Sequence, residues 1–243
     1  MAVQVDQRNL QILQWNARSI ENKFFDLDVT QRTAKPHVIA IQETFLNETV
    51  TTPKLSNYTP YRKDRDNGEK RGGLLIYVRD QVNHIQKNLV PYPNGTIEAL
   101  AITIKSNQEN LDILNIYNPK GNNMSKQELL HYKTQLNEKY FIVGDFNSHN
   151  SLWEPTNNPR TNNSGKAIQE IINENNDIAL ITPPDLPTHV DDRTGETSTI
   201  DLQFCSPHYI GLSDVLTLVD IGSDHTPLLI TVAVKPDTSI RSK

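Results

Sequence analysis

The chain has 243 residues, 36% apolar, 22% charged and 7% aromatic, which suits one domain with a sizeable core or two small ones. No apolar run approaches the ~20 residues of a membrane-spanning helix, no basic-then-apolar leader opens the sequence, and the single cysteine, Cys205, offers no internal disulfide and fits a reducing compartment. The net charge of −5 argues against a nucleic-acid binder that relies on bulk positive charge.

Residues 10–15 alternate apolar and polar side chains and read as a strand. Ser19 is placed to cap a helix running to about Lys35, with Ile20, Phe24, Phe25 and Leu27 facing inward. Further strands are expected at 38–41, 74–78, 97–104 and 111–117. The last two form a hairpin across the short polar stretch 106–110. Ser125, with Glu128 three residues on, opens a second helix through a capping box. A strand at 141–143 follows, then a third helix behind Ser164 or Gly165 carrying Ala167, Ile168, Ile171 and Ile172. Strands at 200–204 and 227–232 complete the series. With no repeat and no linker-like segment, residues 1–235 read as one domain and 236–243 as a frayed tail or the start of a linker. Many strands with few helices indicate an α/β or α+β fold of two packed sheets covered by helices.

Charge is distributed unevenly. Between residues 170 and 224 there are eleven acids and one base, Arg193, so this segment carries −10 and the remainder +5. Residues 62–87 hold seven bases, including Lys63, Arg65, Lys70 and Arg71, against four acids. That stretch is either a solvated loop or an edge that meets phosphates.

The chemistry-bearing residues sit where apolar runs end, at the positions where sites are built on rigid strands. Asn16 follows the first strand and Glu43 the second. Tyr117 and Asn118 end the 111–117 strand, and Asp145, Asn147, Ser148 and His149 follow the 141–143 strand. Thr199 and Asp201 open the 200–204 strand, and Asp224 and His225 precede the last one. Singly, each has an ordinary reading as a turn residue, a solvated strand end or a satisfied core histidine. Together they form a chemical set. Glu43, Asp224 and Asn16 offer the oxygen ligands that Mg²⁺ prefers. Asp145 and Asn147 can position an attacking water and hold an oxygen. His225, kept charged by Asp201, can stabilise charge on a phosphoryl group, with Tyr117 donating to the same group. This is an inventory for metal-assisted phosphodiester hydrolysis.

The ordered segments Trp15-Asn16, Gln42-Glu43-Thr44, Ile116-Tyr117-Asn118-Pro119, Gly144-Asp145-Phe146-Asn147, Ile200-Asp201 and Ser223-Asp224-His225 resemble the endonuclease/exonuclease/phosphatase (DNase I-like) superfamily. Gln14 to Ser19, Arg71 to Tyr77, and Gly144 to Trp153 further resemble the apurinic/apyrimidinic-like endonuclease domain of non-LTR, LINE-type retrotransposons of the jockey kind. The resemblance implies a four-layer sandwich, two mainly antiparallel β-sheets packed face to face and flanked by helices. It implies Asn16, Glu43 and Asp224 as metal ligands, and Mg²⁺ as the ion, with Mn²⁺ able to substitute. Tyr117, Asp145, Asn147, Asp201 and His225 would be catalytic, and Asn118, Ser148, Arg71, Arg193 and Thr199 would contact DNA. Where many relatives carry a basic or aromatic residue just before the Asp201 position, this chain has Ser198-Thr199-Ile200.

The implied activity is nicking of one strand of double-stranded DNA to leave a 3′-hydroxyl that primes reverse transcription. The chain would then be the N-terminal part of a polyprotein whose reverse transcriptase domain is its partner. It would act in the nucleus after synthesis in the cytoplasm, neither secreted nor in a membrane; its oligomeric state is left open. The alternatives are an abasic-site repair endonuclease or phosphatase of the same superfamily, or a catalytically inert DNA-docking module. A hairpin at 188–198, with Arg193 its single base, would influence target choice. His149 lies in the site loop and could reach DNA, though nothing in the sequence requires it, while Trp153 and Cys205 read as packing residues.

Overall fold

The structure, a computed structural model, describes residues 9–65, 71–105, 110–121, 123–157 and 159–236. Lys70, the polar stretch 106–109 expected to connect a hairpin, and the residues from 237 onward, each singled out in the sequence, lie outside the described residues.

In chain order the elements are β1 (Leu10–Asn16), α1 (Phe24–Ala34), β2 (Val38–Gln42), β3 (Tyr58–Lys63), β4 (Leu74–Arg79), β5 (His84–Lys87), β6 (Glu98–Ile104) and β7 (Leu111–Tyr117). They continue as α2 (Lys126–Lys133), β8 (Lys139–Asp145), α3 (Asn163–Glu174), β9 (Ala179–Leu180), β10 (His189–Val190), β11 (Thr197–Ser198), β12 (Asp201–Cys205), β13 (Ser213–Thr217) and β14 (Leu228–Val232). Two six-stranded sheets result, ordered β13-β14-β1-β2-β4-β3 and β5-β6-β7-β8-β12-β9, beside a small β10-β11 ribbon. Each large sheet is antiparallel except for one parallel pair, β1 with β2 and β7 with β8. Parallel pairing requires a crossover, and α1 and α2 lie in those two connections.

The strand pattern sorts side chains into layers. From β1, Leu10 and Ile12 join Val38, Ile76, Ile102, Ile113 and Phe141 in the core between the sheets. The alternate residues Leu13 and Trp15 face outward with Ile39, Tyr77 and Leu27 of α1. On the far side Leu114, Ile116 and Ile142 meet Leu129 and Tyr132 of α2 and Ile168 and Ile171 of α3. The expected four-layer sandwich of mainly antiparallel sheets is therefore present.

The helix starts differ from expectation. Ser19 does not cap α1. It stands at φ 79°, a short 3-10 turn over Glu21–Lys23 intervenes, and Lys23 occupies the cap position without a side-chain bond. Phe25 is 75% exposed, because the later start rotates it away from the sheet. Ser125 does cap α2, its hydroxyl accepting from Glu128 N at 3.1 Å. Glu128 does not complete the box; its carboxylate instead accepts from Thr96 N and Ile97 N at 2.6 and 2.9 Å, stapling α2 to the start of β6. Asn162 rather than Ser164 or Gly165 caps α3, accepting from Gly165 N at 2.8 Å.

Candidate active site

The ends of β1, β2, β7 and β8, the start of β12 and the loop before β14 meet at one rim of the sandwich. Backbone register fixes this meeting. Asn16 pairs with Gln42, Tyr117 with Asp145, and Asp145 with Asp201 across β8 and β12. The close approach at the end of β8 requires glycine: Gly144 has φ +152°, and a Cβ there would lie 1.9 Å from the Ile116 carbonyl oxygen. Glu43 and Asn147 hold left-handed backbone, φ 49° and 44°. Such strain in non-glycine residues gathers at functional sites.

The side chains form a chain of bonds. Asn16 Nδ2 donates to Glu43 Oε1 at 3.0 Å and to Asp145 Oδ2 at 2.8 Å, while its Oδ1 accepts from Arg18 N at 3.0 Å. Asn147 Nδ2 donates to Asp145 Oδ2 and to Asn118 O, both at 3.0 Å. His225 shares a proton with Asp201, Nδ1 to Oδ2 at 2.8 Å, and its Nε2 stands 3.9 Å from Asp145 Oδ2. Burial pushes the Asp145 carboxyl up to about 7, with Asp201 and Glu43 adding to the rise and His225 opposing it. Burial by itself would lower His225, but Asp201 and Asp145 outweigh it and raise the imidazole to about 9. The arrangement thus sets a carboxyl that titrates near neutrality beside a histidine whose charged form is favoured. Burial, with Glu43 and Asp145 as anionic neighbours, pushes the Tyr117 phenol far above its ordinary range, so it remains a hydrogen-bond donor.

Behind this set lies a polar layer in the core. Gln14 Nε2 donates to Asp201 Oδ1 at 2.9 Å and Gln42 Oε1 at 2.7 Å. Gln203 Nε2 donates to Gln14 Oε1 at 3.2 Å, and Gln42 Nε2 to Asn115 Oδ1 at 2.5 Å. All five side chains are fully buried. The sequence signal was visible as amides interrupting apolar strands at core-facing positions, but periodicity does not say what they bind.

Several predicted site residues lie apart from the open surface. Asn118, Ser148 and Thr199 are fully buried and bond backbone carbonyls: Asn118 and Ser148 that of Phe146, at 2.7 and 2.8 Å, and Thr199 that of Leu186 at 2.6 Å. They shape loops under the site. Asp224 is already paired with a cation, Arg18 Nη1 at 2.6 Å, and Arg18 also reaches Asp192 at 2.9 Å. Although burial opposes it, His189, His225 and Arg18 hold the Asp224 carboxyl below the usual carboxylate range. Arg71 lines the groove; Arg193 lies at the exposed tip of the β10–β11 hairpin. Sequence reading missed Arg18 and gave His189 no role. His189 sits edge-on to His225, ring centroids 4.7 Å apart, and opposes it in an isolated bridge. Trp153 and Cys205 are fully buried packing residues, as expected.

All of this opens on a groove of about 1060 Å³. The donor set there fits a hard divalent cation: Glu43 is partly exposed on the groove and Asp145 adjoins it through Asn16, giving oxygen ligands of the kind Mg²⁺ takes. His189, Asp224 and His225 also offer ligand atoms within 4.8 Å of one another. Their nitrogen-rich set suits softer metals, and Asp201 and Arg18 already engage two of its members.

Residues 111–229 match the family profile described as endonuclease-reverse transcriptase. The endonuclease domain of TRAS1, a telomere-specific non-LTR retrotransposon, shares the fold at TM-score 0.72 and 17% identity, covering 94% of this chain and 99% of that one. An AP endonuclease from Archaeoglobus fulgidus does so at TM-score 0.72 and 16% identity, covering 93% and 100%. The RNA-directed DNA polymerase from mobile element jockey of Drosophila melanogaster is 25% identical over 240 residues, 95% of this chain and 24% of that protein. The chain spans about a quarter of the length of the curated relatives it matches. The fold is shared with these endonuclease structures, and fold and site together resemble the endonuclease/exonuclease/phosphatase superfamily. The likeness extends in fold to the endonuclease domain of a non-LTR retrotransposon and in sequence to the polymerase of the mobile element jockey.

Proposed function

We propose that the chain is a Mg²⁺-dependent DNA endonuclease that nicks one strand of a duplex and leaves a 3′-hydroxyl for target-primed reverse transcription. The observation that carries this reading is the convergence of Asp145, Asn147, His225 with Asp201, and Glu43 on one groove. With Nδ2 committed to Asp145, Asn147 presents Oδ1 to accept a hydrogen from the attacking water. Asp145, raised to about 7, takes the water's proton, a base matched to neutral pH. Asp201 holds His225 Nδ1, so Nε2–H donates to a non-bridging phosphate oxygen as charge develops there. Tyr117 keeps its phenolic proton and donates a hydrogen bond to the same phosphate. Glu43 would hold the cation, with Asn16 fixing that carboxylate, and Mn²⁺ would serve in place of Mg²⁺. When bound, the ion supplies Lewis-acid stabilisation of the leaving oxygen. Asp224, paired with Arg18, keeps that arginine at the groove, and any contact of Asp224 with the metal runs through water.

Arg71 is proposed to meet the DNA backbone directly and Arg193 to meet it from the hairpin. Asn118, Ser148 and Thr199 act on DNA through the loops they hold. As the chain spans a quarter of its polymerase relatives, a reverse transcriptase domain is its proposed covalent partner and the nucleus its place of action.

The test is relaxation of supercoiled plasmid with Mg²⁺ and with EDTA, followed by polymerase extension from the nick. Open circles that prime extension, formed only with metal, are expected. DNA binding without nicking under Mg²⁺ or Mn²⁺ would instead indicate a docking module. A strong preference for an oligonucleotide carrying one abasic site would indicate a repair enzyme.

A further inference from the structure

A second carboxylate–imidazole pair lies beside the first and is used by no step above. His149, two residues past Asn147, lines the same groove and bonds Glu154 through Nδ1. Its side chain is 24% exposed, whereas that of Glu154 is fully buried. Among the described residues Glu154 Oε2 has no hydrogen-bond partner, and the imidazole is the group seen to bond this carboxylate. A buried carboxylate with so little company is costly, and a residue serving only to fill space there would be apolar.

The backbone that carries the ring is also held. His149 N donates to Asn162 Oδ1 at 3.1 Å, and Asn162 N donates to His149 O at 3.0 Å. Asn162 Nδ2 donates to Asn147 O at 2.8 Å, tying the same loop at the catalytic asparagine. Gly165 permits this contact, since a Cβ there would come 1.8 Å from the His149 carbonyl oxygen. Glu154 thus engages Nδ1 and leaves Nε2 free of it, in a groove whose lining also includes Lys120 and Arg160.

We infer that His149, oriented by Glu154, binds a phosphodiester of the nucleic-acid strand next to the scissile one. The inference rests on the proposed reading of the groove as a DNA-cleaving site and assigns it a second phosphate position. Between the Glu154 carboxylate and a phosphate the ring carries both protons, Nδ1–H to one anion and Nε2–H to the other. His149 acts in binding, not in bond breaking.

The experiment is steady-state nicking of duplex DNA with Mg²⁺ over a range of NaCl, using wild type, His149→Gln, His149→Lys and Glu154→Gln. For His149→Gln, KM should rise roughly 10-fold, the size of one charge-assisted hydrogen bond, with kcat within about twofold. The slope of log KM against log salt should fall by about 1, the mark of one lost phosphate contact. His149→Lys should keep the wild-type slope, and Glu154→Gln should weaken KM in the direction of His149→Gln. Circular dichroism melts confirm that each variant folds. Unchanged KM and slope in a folded His149→Gln overturns the inference while leaving the endonuclease reading intact, as does a loss confined to kcat. Failure of His149→Gln and His149→Lys to fold makes the pair structural and also overturns it. A wild-type chain that cuts no DNA removes the reading of the site, and this inference with it.

Discussion

Asp145 and Asp201 are register partners on adjacent antiparallel strands, one rung of β8 facing one rung of β12, and His225 stands between them. Its Nδ1 lies 2.8 Å from Asp201 and its Nε2 3.9 Å from Asp145. Two acids placed so close cannot share one duty. Asp201 accepts from the imidazole and from Gln14, whereas Asp145 accepts from Asn16 and Asn147 and faces the groove. One acid is held against the imidazole, and the other is presented to the groove.

That division predicts unequal responses to the same change. Asp145→Asn preserves shape but removes the base, so single-turnover nicking should fall at least ~100-fold. Asp201→Asn leaves the groove-facing groups in place and should cost less than Asp145→Asn, because its effect reaches the phosphate only through His225. Equal losses in the two variants would dissolve the distinction.

The pH profile of nicking should be a bell. The proposed roles need Asp145 deprotonated and His225 protonated, which in the metal-free protein titrate near 7 and near 9. The rate should rise through an acid limb at or below about 7, since a bound cation lowers the carboxyl further, and decline through about 9. His225→Gln should lose the alkaline limb. Stability follows the same sign. A histidine raised from its ordinary ~6.5 stabilises the fold fully below that value, and the contribution disappears as pH rises through about 9. Urea unfolding of metal-free wild type and His225→Gln should therefore diverge most below about 6.5 and converge above about 9.

Metal binding can be read without activity. A ligand that binds only the folded state stabilises it by about 2.7 kcal/mol at a hundred times its Kd. Mg²⁺ or Mn²⁺ should raise the melting temperature of wild type, and EDTA should reverse the gain. Glu43→Gln should abolish most of the shift, while an alanine at Asp224, whose carboxylate is held by Arg18, should reduce it less. A full shift in Glu43→Gln would remove that residue from the metal site.

The sequence made the sandwich legible wherever strands are central. β1, β2, β7 and β12 are buried on both faces and appear as apolar or alternating runs of strand length. It concealed β3, an edge strand containing Pro60, and β13, an edge strand whose Asp214 and Leu216 are exposed, because edges lose the pattern that burial imposes. The catalytic candidates were visible as polar residues after apolar runs. Their mutual distances were not, nor was the capture of Asp224 by Arg18, which joins residues 206 positions apart. The burial of Asn118, Ser148 and Thr199 was equally hidden, since a short polar side chain in a loop motif looks the same whether it faces solvent or a backbone carbonyl.

Gly144→Ala tests the convergence of β7 and β8. The added methyl would sit 1.9 Å from the Ile116 carbonyl oxygen, backbone that cannot swing aside, at a φ that alanine avoids. Overpacking of this kind costs typically 1–3 kcal/mol. Chemical denaturation should show a loss of that size or more, and nicking should decline with it, because Asp145 follows directly. Wild-type stability would mean that the strands are less tightly paired than the register indicates.

Gln14 offers the sharpest test of the buried polar layer. Its amide joins Asp201 and Gln42 as a donor and Gln203 as an acceptor, so Gln14→Ala leaves unmet partners on both sheets. An unsatisfied buried polar group costs about 1–3 kcal/mol, and a network fails as a unit more than as a sum. The urea midpoint should therefore fall by an amount corresponding to about 2–3 kcal/mol with the slope unchanged. Freed from Gln14, Asp201 holds His225 less firmly, so kcat should decline while KM for DNA stays near wild type. A Gln14→Ala chain that loses stability but retains kcat would confine the layer to holding the sheets together; one that loses kcat as well makes it the rear support of the catalytic histidine.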